Sequence, residues 1–348
     1  MIQKNYKKII KYIYIFLAVF IYVYFMITST IFLIINLIIF LIILFRMFVY
    51  WLNNNFIAKR MSLYNVHMFG KKGRGKDLST QLVIVKRYAK TYRKIVKKQT
   101  KLFDKIGINF SDYVDIYFHY FPLYLSNIDY GYGSRIIDLD ELKLIDKNTG
   151  DVVTYQSVMD GSYKKMHIEK IDMYEGLDLY ISDAQLGLPN TEHKDLDKIY
   201  PWLPVFIALS RQLYNMNVIV NTQEYSRLWI KLRGQQDVYF KALNTVPINK
   251  SFTQRIWKKL PILKNYMFVK LRYYEEQQSA ELNILPFSAK GLVNEGMKHA
   301  VLSDGQSIKE QFESTYGVIK DITIVIKISK IKYDSRIFHE YIFGYKAP

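Results

Sequence analysis

The stretch that decides the fold is "HMFGKKGRGKDLSTQ", residues 67–81. Gly70, Gly75 and Lys76 fit a phosphate-binding loop of the form G-x-x-x-x-G-K, in which a Ser or Thr normally follows the lysine. Asp77 stands at that position in this chain. The preceding "YNVHM" is typical of a strand and the following "DLSTQLVIVKRYAK" of a helix, which is the context that such a loop needs. The stretch therefore predicts a nucleotide site with an altered metal ligand.

The loop residues have distinct expected roles. Glycines let backbone N–H groups wrap the phosphates, Lys76 neutralises them, and the helix N-terminus adds partial positive charge. The carboxylate of Asp77 would repel phosphate oxygens unless Mg²⁺ lay between them, and Thr80 lies on the same helix face and could supply a hydroxyl. The alternative is a basic, glycine-rich turn without a ligand. The predicted nucleotide-binding residues are Gly70, Gly73, Gly75, Lys76, Asp77 and Thr80.

Short apolar stretches further along the chain predict the rest of the fold. Two segments between them, 76–100 and 200–215, can form helices. Strands that alternate with helices favour a mostly parallel sheet covered by helices on both faces, an α/β fold. The predicted strands lie within 63–70, 121–128, 177–184 and 216–223.

Polar residues end two of these strands. Ser182 and Asp183 follow the third stretch, where a nucleotide hydrolase usually has two acids, one holding Mg²⁺ and one polarising the attacking water. Gln223 follows the fourth stretch and could sense a γ-phosphate or orient water. Ligands bind at the carboxyl ends of parallel strands, so these side chains are expected to meet the loop. Candidates for an arginine finger are Arg211, Arg227 and Arg233.

Composition limits the function classes. The 348 residues include 49 Lys and Arg against 31 Asp and Glu, a formal charge of +18, which favours contact with nucleic acid or an anionic membrane. Cysteine is absent, so disulfides and thiolate metal sites are excluded. The six histidines are scattered without i, i+4 pairs, which argues against an imidazole metal site.

The amino-terminal region is strongly apolar. Residues 12–45 contain no charge, and a straight helix of that length would reach about 50 Å, well beyond a bilayer core of about 30 Å. Basic residues on both sides favour two spans, near 12–28 and 31–52, with a turn at Thr28-Ser29-Thr30 and both ends in the cytoplasm. A single tilted span and a signal peptide are the alternatives, and the run is too long for the second.

The pattern changes after residue 245. Segments 267–274 and 321–333 alternate or are rich in β-branched residues and predict strands, and a helix is expected near 290–315. Pro247 and Pro261 mark the predicted junction. The predicted organisation is a membrane region at 1–60, a P-loop ATPase domain at 61–245 and a small α+β module at 246–348.

Taken together, these motifs resemble the Zot (zonula occludens toxin) family of filamentous phage assembly ATPases, within the FtsK/HerA-like P-loop superfamily. The resemblance covers about residues 64–245. It rests on Ser182-Asp183-Ala184-Gln185 followed by Leu188-Pro189, where the family commonly has Asp-Glu-Ala-Gln, and on Arg211, Thr222-Gln223 and Arg233 in that order. The closing "YDSRIFHEY", residues 333–341, adds a weaker likeness.

The resemblance implies a membrane-anchored ATPase that uses ATP and Mg²⁺ to power virion assembly and extrusion. It implies a RecA-like sheet, a homo-oligomeric ring, and contacts with the membrane, with phage coat or assembly proteins and with ssDNA. The expected location is the host cytoplasmic (inner) membrane, multi-pass, with the ATPase domain in the cytoplasm. The alternatives are a conjugative or chromosomal DNA translocase and, from another class, a nucleotide-binding scaffold without hydrolysis.

Two departures from the family pattern suggest a hypothesis. Asp77 replaces a hydroxyl and Ser182 replaces an acid, so a carboxylate and a hydroxyl have exchanged places. We expect Asp77, Ser182 and Asp183 to hold the metal together, with Asp183 and Gln223 acting on the attacking water and Arg211 and Arg233 as candidate fingers.

Overall fold

A computed structural model of the chain describes residues 12–24, 30–71, 74–184, 196, 198–246, 265–286 and 308–330. Internal contacts divide the chain into two units, Met1–Leu52 and Asn53–Pro348.

Helices and strands are numbered here in chain order. The described helices are α1 Tyr12–Tyr24, α2 Thr30–Met61, α3 Lys76–Asp104, α4 Val114–Tyr120, α5 Tyr155–Met159, α6 Leu203–Tyr214, α7 Ile230–Arg233, α8 Gln277–Glu281 and α9 Ile308–Tyr316. The described strands are β1 Val66–Phe69, β2 Tyr124–Ser126, β3 Ser134–Ile136, β4 Leu179–Ile181, β5 Val218–Thr222, β6 Val238–Val246, β7 Tyr266–Tyr274 and β8 Ile319–Lys327.

All eight described strands form one sheet in the order β3-β2-β4-β5-β1-β6-β7-β8. The pairs from β3 to β6 are parallel, whereas β6–β7 and β7–β8 are antiparallel. Every residue of β1, β4 and β5 is buried, as expected for parallel strands that are covered on both faces. The predicted α/β fold with a mostly parallel sheet is confirmed.

The strand order sets the positions of the polar strand ends. β1 lies between β5 and β6, and β5 separates β1 from β4. The residues that follow β1, β4 and β5 therefore lie along one edge of the sheet, because these strands are parallel. The long helix α3 begins at that edge, directly after the glycine-rich loop, and its first ten residues are mostly buried while the later turns are exposed.

The carboxyl-terminal strands extend the same sheet, which differs from the predicted separate module at 246–348. β7 pairs with β6 and β8 pairs with β7 over nine residues, so both strands lie in the Asn53–Pro348 unit. The reason is that the alternating burial of β7 and β8 provides an apolar face that continues the core. The predicted junction at Pro247 and Pro261, most of the predicted helix at 290–315 and the closing residues 333–341 lie outside the described residues.

The end of α2 belongs to the second unit and covers the edge strand β8. Asn54 donates from Nδ2 to the Val325 carbonyl at 2.8 Å and accepts from the Val325 amide at 3.0 Å, and Asn53 donates to the Thr323 carbonyl at 3.0 Å. These bonds satisfy backbone groups that an edge strand would otherwise leave open. They explain why the unit begins at Asn53 and not near residue 60, the predicted boundary.

The first unit carries the apolar helices. Among the described residues, Leu33–Met61 is one helical segment long and apolar enough to cross a membrane, with a mean hydropathy of 2.6, and α1 is a shorter apolar helix. The side chains of both helices before Asn53 are mostly exposed. The predicted pair of spans is thus reduced to one candidate span. Its predicted turn falls largely on residues 25–29, outside the described residues, and α2 begins at Thr30.

Candidate functional site

Two glycines shape the loop between β1 and α3. Gly75 is the N-cap of α3 and has a φ of 95°, in the left-handed region that favours glycine. A Cβ on Gly75 would lie 2.3 Å from Thr245 Oγ1 and 2.7 Å from Val269 Cγ1, so β6 and β7 press directly on the loop. A Cβ on Gly70 would meet the Ala242 backbone and side chain at 2.8 Å. Gly73, a predicted phosphate-binding residue, lies outside the described residues.

Lys76 lies at the centre of the site. Its residue is 4% exposed, and its Nζ is 2.7 Å from Asp183 Oδ1 and 3.1 Å from Asp77 Oδ2. Burial alone would lower the pKa of the Lys76 ammonium, but the carboxylates of Asp77 and Asp183 outweigh burial and raise that pKa above its usual value. Lys76 is therefore charged and held by two carboxylates at neutral pH.

The two exchanged residues are in contact. Ser182 Oγ donates to Asp77 Oδ1 at 3.1 Å, which joins the first turn of α3 to the end of β4. The Ser182 hydroxyl and the Asp77 carboxylate thus lie next to each other, although each occupies the sequence position at which the other group is expected. The contact gives a physical basis for reading Asp77 and Ser182 as one functional pair.

Asn221 is a site residue that the sequence analysis missed. It lies inside β5, is 1% exposed, and donates from Nδ2 to Asp77 Oδ1 at 3.2 Å. It also exchanges hydrogen bonds with Thr80 Oγ1 at 3.0 and 3.3 Å. Thr80 is fully buried, so it supports Asp77 through Asn221 and does not line open space. A buried amide within the apolar run "VIVNT" was the available signal.

The segment after β4 is fixed from the neighbouring strand. Asn127, just past β2, donates to the Ser182 carbonyl at 2.9 Å and accepts from the Ser182 amide at 2.8 Å. The next residue, Asp183, has a φ of 47°, a left-handed conformation that Asp and Asn tolerate better than most side chains. This turn places the Asp183 carboxylate on Lys76. Asn127 was not predicted from the sequence.

Gln223 lies beside a cleft and away from the cluster around Lys76. The cleft has a volume of about 430 Å³ and is lined on one side by Gly70, Lys71 and Arg74 of the loop and on the other by Gln223 and Lys241. It adjoins the loop at the carboxyl ends of β1 and β5 and beside the middle of β6. The predicted amide thus does adjoin the loop, as expected from the end of a parallel strand.

The candidate finger arginines have other partners within the chain. Arg211 forms an ion pair with Asp237 at 2.7 Å, at the amino ends of the strands and thus at the edge opposite Lys76. Arg233 is 5% exposed, lies over the Tyr225 ring at 5.3 Å and is 3.8 Å from Glu281.

The structure therefore does not bring Arg211 or Arg233 to the cluster around Lys76 in the same chain. The sequence could not reveal this, because it does not say which edge of the sheet a helix residue faces. Arg227 is exposed and forms an ion pair at 3.2 Å with Glu224, the residue that follows Gln223.

The residues fit a nucleotide with one magnesium ion. Asp77, Ser182 and Asp183 supply carboxylate and hydroxyl oxygens, which are the hard ligands that Mg²⁺ prefers, and Mg²⁺ commonly uses one or two carboxylates together with substrate phosphates. In the described part of the chain, no group of three or more His, Cys, Asp and Glu residues could hold a metal by itself. The N-cap Gly75 offers no side chain to the first amides of α3, as in a helix end that accepts phosphate.

Comparisons with known proteins found solved structures that are similar to this chain. No family model and no curated protein matches the chain. The structure of the genome packaging NTPase B204 from Sulfolobus turreted icosahedral virus 2 in complex with AMP is similar, with 15% identity, 63% of this chain and 95% of that chain covered and a TM-score of 0.27.

The N-terminal domain of zonular occludens toxin from Neisseria meningitidis is also similar, with 12% identity, 66% and 88% of the two chains covered and a TM-score of 0.25. The assignment of the fold rests on the strand order and on the glycine loop before α3.

Proposed function

We propose that this chain is an ATPase anchored in a membrane, which drives the assembly and extrusion of filamentous virions. The observation that carries the enzymatic part is the convergence of Lys76, Asp77, Ser182 and Asp183 between the start of α3 and the end of β4. A buried lysine at a helix N-terminus, beside a glycine loop and two carboxylates, is the arrangement that a triphosphate and its metal need.

Each residue of the cluster has a part in the proposed reaction. Lys76 turns from the carboxylates to the phosphate oxygens when the nucleotide binds. Asp77 and Ser182 would hold Mg²⁺, and Asn221 keeps the Asp77 carboxylate oriented. Bound Mg²⁺ supplies charge neutralisation for the phosphate oxygens. Asp183, released from Lys76, accepts a proton from the attacking water.

The cellular part of the proposal rests on the motif resemblance and on α2. The part of α2 before Asn53 anchors the chain in the host cytoplasmic membrane, and the Asn53–Pro348 unit meets ATP in the cytoplasm. Subunits assemble as a homo-oligomeric ring around exported ssDNA and contact coat or assembly proteins. In such a ring Arg227, exposed beside Gln223, is a better placed finger toward a neighbouring subunit than the buried Arg233.

One observation favours a second candidate, a scaffold that binds nucleotide without hydrolysing it. The ammonium of Lys76 is already held by two carboxylates, and the residue after it is an acid that repels phosphate unless a metal intervenes. Such a site would bind the nucleotide and leave it unhydrolysed.

ATP turnover with Mg²⁺ by the detergent-solubilised full chain separates the two candidates. We expect turnover that falls by at least about 100-fold in Lys76→Ala and in Asp183→Asn, since each removes a charge that acts on the phosphates or water. Asparagine tolerates the positive φ of Asp183, so this variant should fold. Nucleotide binding with turnover no higher than in Lys76→Ala would favour the scaffold. Strong stimulation by added DNA would favour the translocase alternative.

A further inference from the structure

A basic hollow lies between the end of α2 and the first half of α3, and its lining shares no residue with the glycine loop. Its volume is about 580 Å³ and it is wide open to solvent. The hollow is lined by Asn55, Ala58, Lys59, Ser62, Lys86 and Arg87. Three of these six residues are cationic and none is acidic, so the lining favours an anion.

Two of the cations are held in place by neighbouring side chains. Lys86 donates from Nζ to Asn55 Oδ1 at 2.5 Å, which links α3 to α2. Arg87 forms an ion pair with the buried carboxylate of Asp178, which fixes the guanidinium at the back of the hollow. Cations that are already ordered lose less conformational entropy on binding a ligand than free lysines do.

The lining of the hollow supplies no carboxylate to its two lysines. Partial burial and the charge of Lys330 lower the pKa of the Lys86 ammonium. Asp178 compensates Arg87, while the structure gives Lys59 and Lys86 no carboxylate partner among the residues that line the hollow. A bound anion would supply the negative charge that the lining lacks.

The position of the hollow in the chain indicates the source of the anion. Lys59 lies in the last turn of α2, seven residues after Leu52, at which the apolar first unit ends. Basic residues just beyond an apolar span face the anionic headgroups of the cytoplasmic leaflet. A phosphate presented by lipid is therefore at high local concentration beside Lys59.

We propose that the hollow formed by Lys59, Lys86 and Arg87 binds the phosphate of an anionic phospholipid headgroup. This site lies apart from the proposed nucleotide site. It would fix the carboxyl-terminal end of α2 and the start of the ATP-binding unit to the lipid surface.

Native mass spectrometry of the detergent-solubilised full chain, titrated with phosphatidylglycerol or phosphatidylcholine, tests the proposal. We expect preferential retention of phosphatidylglycerol, and a loss of affinity of roughly 20- to 30-fold in the variant Lys59→Gln plus Lys86→Gln, from about 1 kcal/mol for each lysine. The matched control is Lys97→Gln plus Lys101→Gln, which removes two exposed lysines from a later part of α3 and should keep the affinity.

Three results would overturn the headgroup site. They are equal retention of both lipids, equal losses in the variant and the control, and displacement of phosphatidylglycerol by millimolar inorganic phosphate. The last result would identify a free phosphate as the ligand. Circular dichroism checks that the variants fold, and Arg87 is left unchanged because its partner Asp178 is buried. ATP turnover is not part of the readout, so failure here leaves the proposed ATPase untouched.

Discussion

Asp77 and Ser182 carry side chains that are usual at each other's positions, and folding brings the two groups within 3.1 Å. A carboxylate moved from the end of a strand to the start of a helix still reaches the same point in space, because α3 begins where β4 ends. On the proposed function, the departure from the usual motif changes which element supplies each ligand and keeps the number of ligands.

Gly75 provides a test of how tightly the loop is packed. Gly75→Ala should lower the free energy of unfolding by more than about 2 kcal/mol, from a strained positive φ together with a clash against Thr245 and Val269. Gly107→Ala is the control, since Gly107 also has a positive φ but nothing lies within 4 Å of its Cβ position. Chemical denaturation of the two variants compares them. Equal losses would show that the strands do not constrain the loop.

His67 predicts an acid-sensitive stability. The ring is fully buried in β1 and its Nε2 is 2.8 Å from Thr222 Oγ1. Burial, together with the charge of Arg233, lowers the pKa of His67 from 6.5 to about 3. Between these values the unfolded chain binds a proton that the folded chain does not, so stability falls as the pH falls from 6.5 to about 3. The expected slope is about 1.4 kcal/mol per pH unit from this residue.

The measurement is the pH dependence of unfolding in His67→Gln, which retains a donor for Thr222. His67→Gln should lose the decrease in unfolding free energy between pH 6.5 and about 3 that comes from His67. His119→Gln, at an exposed histidine, should keep that decrease. An unchanged slope in His67→Gln would mean that other groups cause the acid sensitivity.

Much of the site could be predicted because polar residues at the ends of parallel strands must meet at one edge. Lys76, Asp77, Ser182 and Asp183 come together for that reason. Asn221 could not be predicted in the same way. Its role depends on β5 lying between β1 and β4, and the order of strands in a sheet follows from packing between distant segments.

Strands β6, β7 and β8 show what sequence periodicity leaves open. The alternating residues of β7 and β8 predicted two strands, and both exist. Periodicity does not specify a partner strand, however, and antiparallel pairing with β6 joins β7 and β8 to the same sheet as β1. β6 itself was not predicted. Thr245 of β6 and Val269 of β7 both crowd Gly75, so the carboxyl-terminal strand β7 also supports the loop.

The bonds between α2 and β8 should protect the edge of the sheet. Asn54→Ala removes two hydrogen bonds to Val325 and should cost about 1–3 kcal/mol. Hydrogen exchange of the Ile319–Lys327 peptide should become faster in this variant. Asn55→Ala is the control, because the side chain of Asn55 accepts a hydrogen bond from the exposed ammonium of Lys86 and not from β8. Unchanged exchange in Asn54→Ala would mean that β8 needs no cover from α2.

The chain combines an apolar helix with the sheet that carries the proposed nucleotide site, and α2 contributes residues to both units. Its segment Leu33–Met61 can cross a membrane, while its residues from Asn53 onward belong to the second unit. One continuous helix thus contains both the candidate span and the residues that cover β8.

Mg²⁺-dependent ATP turnover in an exchange series tests the central claim most directly. The series contains the wild type, Asp77→Ser, Ser182→Asp and the double variant, all as full-length protein. We predict that each single change lowers turnover and raises the Mg²⁺ concentration required by roughly 10- to 100-fold, as is typical when a residue that orients a metal ligand is lost. The double variant should recover to within a few-fold of the wild type. Turnover and Mg²⁺ requirement in Asp77→Ser equal to the wild type would contradict a metal held jointly by Asp77 and Ser182.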